Sequence, residues 1–388
     1  MPEAFILDGL RTPIGRYGGA LADQRPDDLV ATTMKTVVDR AGIDPSDIDE
    51  VILGSANQAG EDNRNIARMA VLLAGLPESV PGFTVNRLCA SGMTAITTAR
   101  AMIAAGDADV VVAGGVESMT RAPWVSEKPS RAWSKPGRTW DTSIGWRFTN
   151  PAFDEDTTLS MPQTAERVAE KWKLTREALD EFAYRSHQLA LAAQKAGSFD
   201  PEILPIGDVT ADEGPRADST QEKLGKLRPI HGPDGLITAG NSSSLNDGAA
   251  VVVLVSEDYA NKHGLNPRAR VVAGANAGVS PEIMGIGPVP ATRKVLERTG
   301  WGVGELDAVE LNEAFASQSL ACMGDLGLDP ETVNGFGGAI ALGHPLGCSG
   351  TRITLTLLNR LEQADAKRGL ATMCVGVGQG SALLLERV

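Results

Sequence analysis

The residue best suited to act as a nucleophile is Cys89, in the stretch VNRLCASG at 85–92. A β-type run precedes it, and an Ala- and Ile-rich helical pattern follows through Ala105. The cysteine is therefore predicted to lie where a strand ends and a helix begins. Unpaired backbone N–H groups there carry partial positive charge, which favours a thiolate and so a nucleophile. The alternative is a small buried hydrophobic residue, the usual role of a single cysteine in an apolar region.

Three further side chains could act together with Cys89. His344 lies in a Gly-rich turn before a helix, where an imidazole could serve as the base. Cys374 stands at a strand end before a second Gly-rich turn, and Asn312 follows a strand directly. The corresponding structural roles are a turn histidine, a core cysteine and a helix N-cap. Their shared position at the carboxyl ends of strands, where α/β proteins form their sites, favours the catalytic interpretation.

An internal similarity indicates how distant residues could meet. The sequence LCASG at 88–92 resembles LGCSG at 346–350, and each is followed by a helix, a charged turn and a buried strand that ends in glycine. The two ends of the chain therefore look like copies of one unit, in which Asn86 and His344 take equivalent places. Two such copies packed face to face would bring both helix N-termini to one site.

Length and composition bound the class of protein. A chain of 388 residues with 43 glycines fits two or three α/β domains. A net charge of −13 argues against nucleic acid or an anionic membrane surface as a partner. No apolar stretch approaches the length of a membrane span, and no secretory signal is visible, so we expect a cytoplasmic location without membrane insertion. The four cysteines and four histidines lack metal-ligand spacing, which predicts free thiols and no metal site.

The composition and the secondary-structure pattern of the sequence change twice along the chain. Residues 1–118 alternate strand and helix patterns, which predicts a largely parallel sheet with helices on its faces. Residues 119–248 hold several Trp and Pro, mixed charge and a Gly/Ser/Asn-rich loop, and they read as an inserted domain. We expect 249–268 to complete the first sheet and 269–388 to form a second, similar half.

The chain resembles the thiolase family over essentially its whole length. The matching blocks are NRLCASGM at 86–93, GGVESM at 114–119, NEAFA at 312–316, GGAIALGHPLGCSG at 337–350 and MCVGVGQG at 373–380. The text SIGWRFTNP at 143–151 and SMPQTAERVAE at 160–170 is more similar to degradative thiolases of the 3-oxoadipyl-CoA type than to biosynthetic acetoacetyl-CoA thiolases. The resemblance implies an α/β thiolase fold, in which two similar βαβ-type halves pack as αβαβα layers with an inserted loop domain.

The resemblance also implies a mechanism. Cys89 would attack the 3-keto carbon of a 3-oxoacyl-CoA, and the released acetyl-CoA enolate would be protonated by Cys374. A second CoA, deprotonated by Cys374, would then attack the acyl-Cys89 thioester. His344 would take the proton of Cys89 and help hold the first oxyanion, and Asn312 would position a water there. The backbone N–H groups of Cys89 and Gly376 would form the second oxyanion hole.

Coenzyme A would be a substrate, and no cofactor would be bound permanently. By resemblance, Ser243 would meet the pantetheine, and Arg216 would supply positive charge at the nucleotide end. The residues implied to line the channel are Met161, Ala239, Ala314 and Phe315. The partners would be CoA and acyl-CoA thioesters. A homotetramer would form as a dimer of dimers, with the Trp-rich segment 120–150 as a contact.

Some positions depart from the family pattern and bear on the substrate. Phe336 stands where thiolases usually carry Asn, and its ring could reshape the His344 turn or fill part of the acyl pocket. Ser160 replaces a histidine of biosynthetic thiolases, and Pro162 replaces a common glycine. We further hypothesise that Arg147, in the text shared with the oxoadipyl type, meets a substrate carboxylate.

The sequence therefore predicts an acetyl-CoA C-acyltransferase that cleaves a 3-oxoacyl-CoA reversibly, with 3-oxoadipyl-CoA as a candidate substrate. One alternative is a biosynthetic, acetoacetyl-CoA-forming thiolase. A decarboxylating ketoacyl synthase shares the nucleophile but usually lacks a second cysteine such as Cys374. A non-catalytic, thiolase-like lipid carrier would be expected to lose Cys89 or His344, and both are present.

Overall fold

A computed structural model describes residues 2–388 of the chain. The strands in that part of the chain are β1 (Ala4–Arg11), β2 (Gly15–Arg16), β3 (Glu50–Gly54), β4 (Gly82–Val85), β5 (Val110–Ser118), β6 (Trp124–Ser126), β7 (Thr139–Asp141), β8 (Asn246–Ser256), β9 (Ala269–Gly278), β10 (Ala308–Leu311), β11 (Arg368–Val375) and β12 (Gln379–Arg387). The helices are α1 (Pro26–Ala41), α2 (Ile66–Leu73), α3 (Ser91–Ala105), α4 (Met161–Lys171), α5 (Arg176–Ala196), α6 (Gln221–Gly225), α7 (Glu257–His263), α8 (Pro288–Thr299), α9 (Ala316–Leu326), α10 (Ala339–Leu342) and α11 (Leu346–Gln363).

The main strands form one hydrogen-bonded path in the order β10-β11-β12-β9-β1-β8-β5-β3-β4, with β2 paired to β8. The central strands β5 and β8 are buried along their whole length and are rich in valine, as expected for strands covered on both faces. The path divides into two halves where β1 meets β9, because that junction consists of only two residue pairs, Phe5 with Arg270 and Ile6 with Ala269.

The two halves repeat one topology. In the first half β3 pairs in parallel with β4 and β5, while β8 pairs antiparallel with β5 and β1. In the second half β10 pairs in parallel with β11 and with a single bridge at Val333, while β12 pairs antiparallel with β11 and β9. Helix α3 follows β4, and α11 occupies the same place after Val333. The internal repeat read from the sequence is therefore present in the fold.

Three hydrophobic cores separate the layers. One core joins α1 and α2 to the outer face of the first half, and another joins α8 and α9 to the outer face of the second. Between the halves, α3 and α11 pack against each other and against both sets of strands. This arrangement gives the predicted αβαβα layers.

One segment, Leu88–Ala105, is long and apolar enough by composition to cross a membrane. It belongs to the central layer, where Met93, Ile96 and Ile103 are almost fully buried against the strands and α11. Its apolar character is therefore explained by its place in the core.

Residues 119–248 contain the β6–β7 hairpin and helices α4, α5 and α6. These helices pack mainly against the second half, since α4 and α5 both contact α9 and α5 also contacts α10. The division into 1–118 with 249–268, 119–248 and 269–388 stays a prediction. In the structure β8 begins at Asn246, three residues before the predicted return to the first half.

Local contacts set the starts of two helices. Helix α9 begins at Ala316, because Phe315 is extended and pairs with Ser242. Helix α4 begins at Met161, where Gln163 Oε1 accepts the Ser160 N–H at 3.0 Å and the Ser160 hydroxyl at 2.7 Å.

Candidate active site

Cys89 lies in a short 3-10 turn, Leu88–Ala90, between β4 and α3. This is the predicted position at the start of a helix. The Asn86 side chain braces the turn, because its Oδ1 accepts the Leu88 N–H at 2.8 Å and its Nδ2 donates to the Ala56 carbonyl at 3.0 Å. The residues before the thiol are thus tied to the loop that follows β3.

The expectation that the helix start alone would favour a Cys89 thiolate was wrong. Burial raises the pKa of the Cys89 thiol to about 11, and the charge of Glu117 adds to the rise. Hydrogen bonds from the backbone N–H groups of Gly376 and of Cys89 itself act in the opposite direction but do not offset desolvation. The resting thiol is therefore protonated at neutral pH.

Cys374 and Gly376 approach the same thiol from the end of β11. Burial, followed by the charges of Cys89 and Cys322, raises the pKa of the Cys374 thiol well above its usual value. Gly376 lines the same cavity as Cys89, and its backbone N–H lowers the pKa of that thiol. A side chain at Gly376 would lie 3.1 Å from Leu88 Cδ1 and 3.2 Å from the Trp146 ring, so glycine allows this approach.

His344 and Asn312 form a second group. His344 Nδ1 lies 2.7 Å from Ser349 Oγ, and Asn312 Nδ2 lies 3.4 Å from His344 Nε2. Burial, then the charge of Arg352, lowers the pKa of His344 to about 3, so the imidazole is neutral and can accept a proton. Asn312 is not a helix N-cap, because α9 starts at Ala316. Its buried Oδ1 has no hydrogen-bond partner within residues 2–388.

Close packing of the two central helices links these groups. A Cβ placed on Gly92 would lie 2.6 Å from Thr351 Oγ1 and 2.7 Å from the Gly347 carbonyl. A Cβ placed on Gly350 would lie 2.3 Å from the Met93 nitrogen. The equivalent glycines of the two repeats therefore let the N-terminal turns of α3 and α11 touch, as the face-to-face arrangement predicted.

A cavity of about 370 Å³ opens at Cys89. Its lining includes Asn57, Cys89, Trp146, Arg147, Met161 and Gly376. Met161, predicted to line the substrate channel, lines this cavity. Arg147 is the one charged side chain among the described residues that line this cavity.

A second cavity, of about 520 Å³, carries positive charge. Arg216 and Ala239, both predicted to contact CoA, line it, and Ser242 and Ser244 line it on either side of Ser243. The sequence analysis missed Arg16 and Lys223, which also line it. Arg16 lies in a Gly-rich turn, and its basic side chain there was the available signal.

The predicted lining residues Ala314 and Phe315 belong to neither cavity among the described residues. They are buried in the core of the second half. The Ala314 carbonyl accepts the Ser243 N–H at 2.9 Å, so this segment supports the loop that borders the larger cavity. Their side chains were expected at the surface of a channel, but a tight turn at Ala314 and the extended Phe315 place both side chains in the core.

Phe336 does not fill the pocket at Cys89. Its ring packs edge-on against Phe199, with centroids 5.7 Å apart, and the Arg360 guanidinium lies 5.9 Å from its centre. The pocket-filling hypothesis was therefore wrong, because Phe336 belongs to a separate small core with Phe199, Ala190 and Leu342.

All four cysteines, which lie in the described part of the chain, are free thiols, as predicted. Within residues 2–388 no three His, Cys, Asp or Glu side chains are placed to hold a metal ion. The chemistry visible in the site is that of a thiol nucleophile, a neutral imidazole and a second thiol.

Such a site on a doubled α/β fold defines a class of enzyme that passes an acyl group through a cysteine thioester. Family models described as the thiolase N-terminal domain and the thiolase C-terminal domain match residues 4–258 and 265–387. The chain belongs to the thiolase family and is an acyltransferase. The predicted family, α/β thiolase fold and enzyme class are confirmed.

Similar proteins cover the whole chain. A beta-ketoadipyl-CoA thiolase of Pseudomonas aeruginosa is 57% identical, with 100% of this chain and 99% of that protein aligned. The 3-oxoadipyl-CoA/3-oxo-5,6-dehydrosuberyl-CoA thiolase of Escherichia coli is 53% identical over 100% of both. The crystal structure of human mitochondrial 3-ketoacyl-CoA thiolase in complex with CoA has a TM-score of 0.94 at 39% identity, covering 100% of this chain and 98% of that one.

Proposed function

We propose that this thiolase cleaves 3-oxoadipyl-CoA with CoA, giving acetyl-CoA and succinyl-CoA. Two relatives above 50% identity are named for that substrate. The observation that carries the proposal is the position of Arg147, the one charged side chain lining the Cys89 cavity among residues 2–388. A dicarboxyl substrate differs from a simple 3-oxoacyl-CoA by a carboxylate at the far end of its acyl chain, and a single cation in the acyl cavity matches that difference.

The hydrogen bonds around Arg147 leave it free to bind a carboxylate. Its Nη2 donates to Asn57 Oδ1 at 3.1 Å, and it forms no ion pair within the described part of the chain. Asn57 cannot turn away, because its Nδ2 donates to Thr142 Oγ1 at 2.9 Å. A guanidinium has five N–H donors, and Asn57 accepts only one of them. The other donors remain available to bind two carboxylate oxygens.

In the first half-reaction, the Cys89 sulfur attacks the 3-keto carbon while its proton passes to His344. Collapse of the resulting alkoxide breaks the C2–C3 bond, and the electron pair leaves with acetyl-CoA as an enolate. The Cys374 thiol gives the enolate its proton, which leaves a succinyl thioester on Cys89. Donors near Asn312 and His344 are proposed to hold the first oxyanion.

In the second half-reaction, the Cys374 thiolate takes the proton of an incoming CoA thiol. The CoA sulfur attacks the succinyl carbonyl, and the backbone N–H groups of Cys89 and Gly376 stabilise the oxyanion. The bond between the acyl carbon and Cys89 breaks, and the cysteine sulfur recovers its proton from His344. The proton of CoA thus replaces the one that Cys374 gave to the acetyl-CoA enolate, and both cysteines return to their starting state.

The larger cavity is proposed to take the nucleotide end of CoA, since Arg16, Arg216 and Lys223 supply positive charge there. No permanently bound cofactor is required by this scheme. We further propose that the enzyme works in the cytoplasm as a homotetramer. Exposed apolar side chains between 120 and 155, including Trp124, Trp133 and Phe153, support a contact between copies.

The proposal is tested by comparing kcat/KM for 3-oxoadipyl-CoA with that for 3-oxohexanoyl-CoA, which has the same chain length without the terminal carboxylate. Arg147→Met should lower the value for 3-oxoadipyl-CoA about 100-fold, as expected for charge-assisted hydrogen bonds worth about 3 kcal/mol. The value for 3-oxohexanoyl-CoA should change less than threefold.

The matched control is Arg131→Met, an exposed arginine of the same inserted segment that does not line the cavity. Both of its substrate values should stay at the wild-type level. An unchanged substrate ratio in Arg147→Met would remove the arginine from the proposal. A wild-type preference for acetoacetyl-CoA would instead favour the biosynthetic alternative.

A further inference from the structure

Glu117 is a buried carboxylate of β5 whose contacts join separate parts of the site. Its side chain is only 4% exposed. Its Oε1 accepts the Asn57 N–H at 3.0 Å, and its Oε2 accepts the N–H groups of Ala56 at 2.9 Å and Gly347 at 2.8 Å. No other carboxylate in the described chain receives backbone N–H groups from both repeats beside the Cys89 cavity.

Two of these donors lie on the nucleophile arm, by which we mean the loop 55–57 after β3 together with the Cys89 turn that it braces. Ala56 and Asn57 line the Cys89 cavity, and the Ala56 carbonyl accepts a hydrogen bond from Asn86, which braces the Cys89 turn. Asn57 also orients Arg147, through the hydrogen bond between its Oδ1 and the guanidinium. Glu117 therefore fixes the loop from which both the thiol turn and the proposed carboxylate-binding arginine are held.

The third donor lies on the base arm, by which we mean the His344 turn together with the start of α11. Gly347 is in the first turn of α11, three residues after His344 and next to Leu346, which also lines the Cys89 cavity. A carboxylate at a helix N-terminus is favoured by the free N–H groups of that turn. The same side chain thus ties the start of the helix behind His344 to the loop behind Cys89.

We propose that Glu117 is a positioning residue that holds the nucleophile arm and the base arm of the active site at their working separation. Three N–H donors suit an ionised carboxylate, which accepts on both oxygens and donates nothing. A glutamine would keep the shape but accept on one oxygen only, and its NH2 group would face at least one of the three N–H donors. The part of the inference that involves Arg147 rests on the proposed function, whereas the link between Cys89 and His344 does not.

Three titratable groups interact with the charge of Glu117, namely Asp62, Cys89 and Cys348. Asp62, from the loop after β3, is the charged neighbour that acts on it, and Glu117 in turn acts on Cys89 and on Cys348 of α11. Burial raises the pKa of Glu117 to about 7, although the three backbone donors act against the rise. Cys89, near 11, and His344, near 3, keep their protonation states over the neutral range. An acidic limb in the pH–rate profile, meaning a fall in kcat on acidification with a midpoint near pH 7, would therefore report protonation of the carboxyl pair Glu117 and Asp62.

The test compares Glu117→Gln with Glu117→Asp and with the control Glu50→Gln. Glu50 begins β3 at the end of the strand away from the site, so the control makes the same chemical change without touching the arms. Kinetics are measured with 3-oxoadipyl-CoA and with 3-oxohexanoyl-CoA, between pH 5.5 and pH 8.5. Alkylation of Cys89 by iodoacetamide is followed as a readout that needs no turnover.

Glu117→Gln should lower kcat about 100-fold for both substrates, since small misplacement of reacting groups costs that much. KM should change less, and the acidic limb near pH 7 should disappear. Glu117→Asp keeps the charge on a shorter side chain and should lose less activity while keeping the limb. Glu50→Gln should match the wild type.

Two results would overturn the inference. One is Glu117→Gln with kcat within threefold of wild type and an unchanged pH profile, whatever its stability. The other is a loss confined to 3-oxoadipyl-CoA, which would connect Glu117 with Arg147 alone and would contradict the link between Cys89 and His344. Loss of the Arg147 effect itself would leave this test intact.

Discussion

The two halves of the chain share a strand order but differ in what their carboxyl ends carry. In the first half, the turn between β4 and α3 presents Cys89, and the position equivalent to His344 is Asn86. In the second half, the turn before α11 presents His344, while strands β10 and β11 end near Asn312 and Cys374. One repeat supplies the nucleophile, and the other supplies the proposed acid–base groups.

The comparison shows that the shared strand order positions the two turns, whereas the residues in each turn determine its chemistry. Asn86 uses both ends of its amide to brace the Cys89 turn, whereas His344 uses Nδ1 toward Ser349 and faces Asn312 with its ring. The bracing residue of one copy has become the candidate base of the other. Because the glycines at 92 and 350 bring the helix starts into contact, each repeat completes a site that neither forms alone.

The halves also differ in what burial does to their titrating groups. Burial raises the pKa of Cys89 to about 11 and lowers the pKa of His344 to about 3. Both groups are thus neutral at rest, so charge appears in the site only when the thiol proton moves. In the proposed mechanism, the thiol proton therefore passes from Cys89 of one half to His344 of the other.

The largest expected effect comes from removing the contribution of the first half. Cys89→Ala should lower kcat at least about 10⁴-fold, as for loss of a covalent nucleophile. Cys348→Ala is the control, since that buried thiol lies in the matching turn of the second half. Steady-state thiolysis checks both variants. Substantial turnover by Cys89→Ala would break the assignment of the nucleophile to the first repeat.

A second change makes the two halves alike. His344→Asn gives the second repeat the residue that the first carries at Asn86, and kcat should fall about 10²- to 10⁴-fold with the loss of a general base. His263→Asn, at an exposed helix end, serves as the control and should have no effect. Thiolysis within tenfold of wild type in His344→Asn would mean that the difference between the turns is not catalytic.

A third change tests the contact between the halves through stability. Gly350→Ala forces a methyl group to within 2.3 Å of the Met93 nitrogen, and it should lower the free energy of unfolding by about 1–3 kcal/mol, as for overpacking. Gly324→Ala, in α9 with no atom near the new methyl, should be neutral or stabilising by up to about 1 kcal/mol. Urea unfolding measures both. Equal stabilities would show that the helix starts do not need glycine.

The smallest effect concerns pH. Burial lowers the pKa of His344 from 6.5 to about 3, so below pH 6.5 the unfolded chain binds a proton that the folded one does not. Folded stability attributable to His344 should therefore fall by about 1.4 kcal/mol per pH unit between pH 6 and pH 4. Glu117, whose pKa is raised, contributes with the opposite sign, so the comparison is between His344→Asn and wild type. The variant should show the shallower slope in urea unfolding, and parallel slopes would contradict a neutral buried His344.

The sequence predicted the parts of this account that depend on pattern. Strand–helix alternation predicted a sheet covered by helices, but its largely parallel pairing was wrong, because β1, β8, β9 and β12 pair antiparallel with their neighbours. The αβαβα layers came from the resemblance to thiolases. The likeness of LCASG to LGCSG predicted the repeat and the meeting of the two turns. The protonation of Cys89 could not be predicted, because a local rule about helix N-termini does not count the desolvation set by neighbours from both halves. Arg16 was missed because it joins Arg216 only when segments distant in the chain fold around the larger cavity.

Glu117 illustrates the same limit. It was visible inside the block GGVESM, yet a glutamate on a buried strand has no evident role until its three partners are known. Those partners, Ala56, Asn57 and Gly347, come from two different repeats. The role of a residue that links the two halves cannot be inferred when the sequence is interpreted one segment at a time.

The most direct test of the central claim is to map the acyl group after reaction with 3-oxoadipyl-CoA in the absence of free CoA. Acid quenching and peptide mass spectrometry should place a succinyl thioester on Cys89, with acetyl-CoA released in equal amount. The adduct should form far more slowly in His344→Asn and in Cys374→Ser, because both proposed proton carriers lie in the other half. An adduct on Cys322, Cys348 or Cys374, or full-rate acylation of Cys89 in both variants, would contradict a site built jointly by the two repeats.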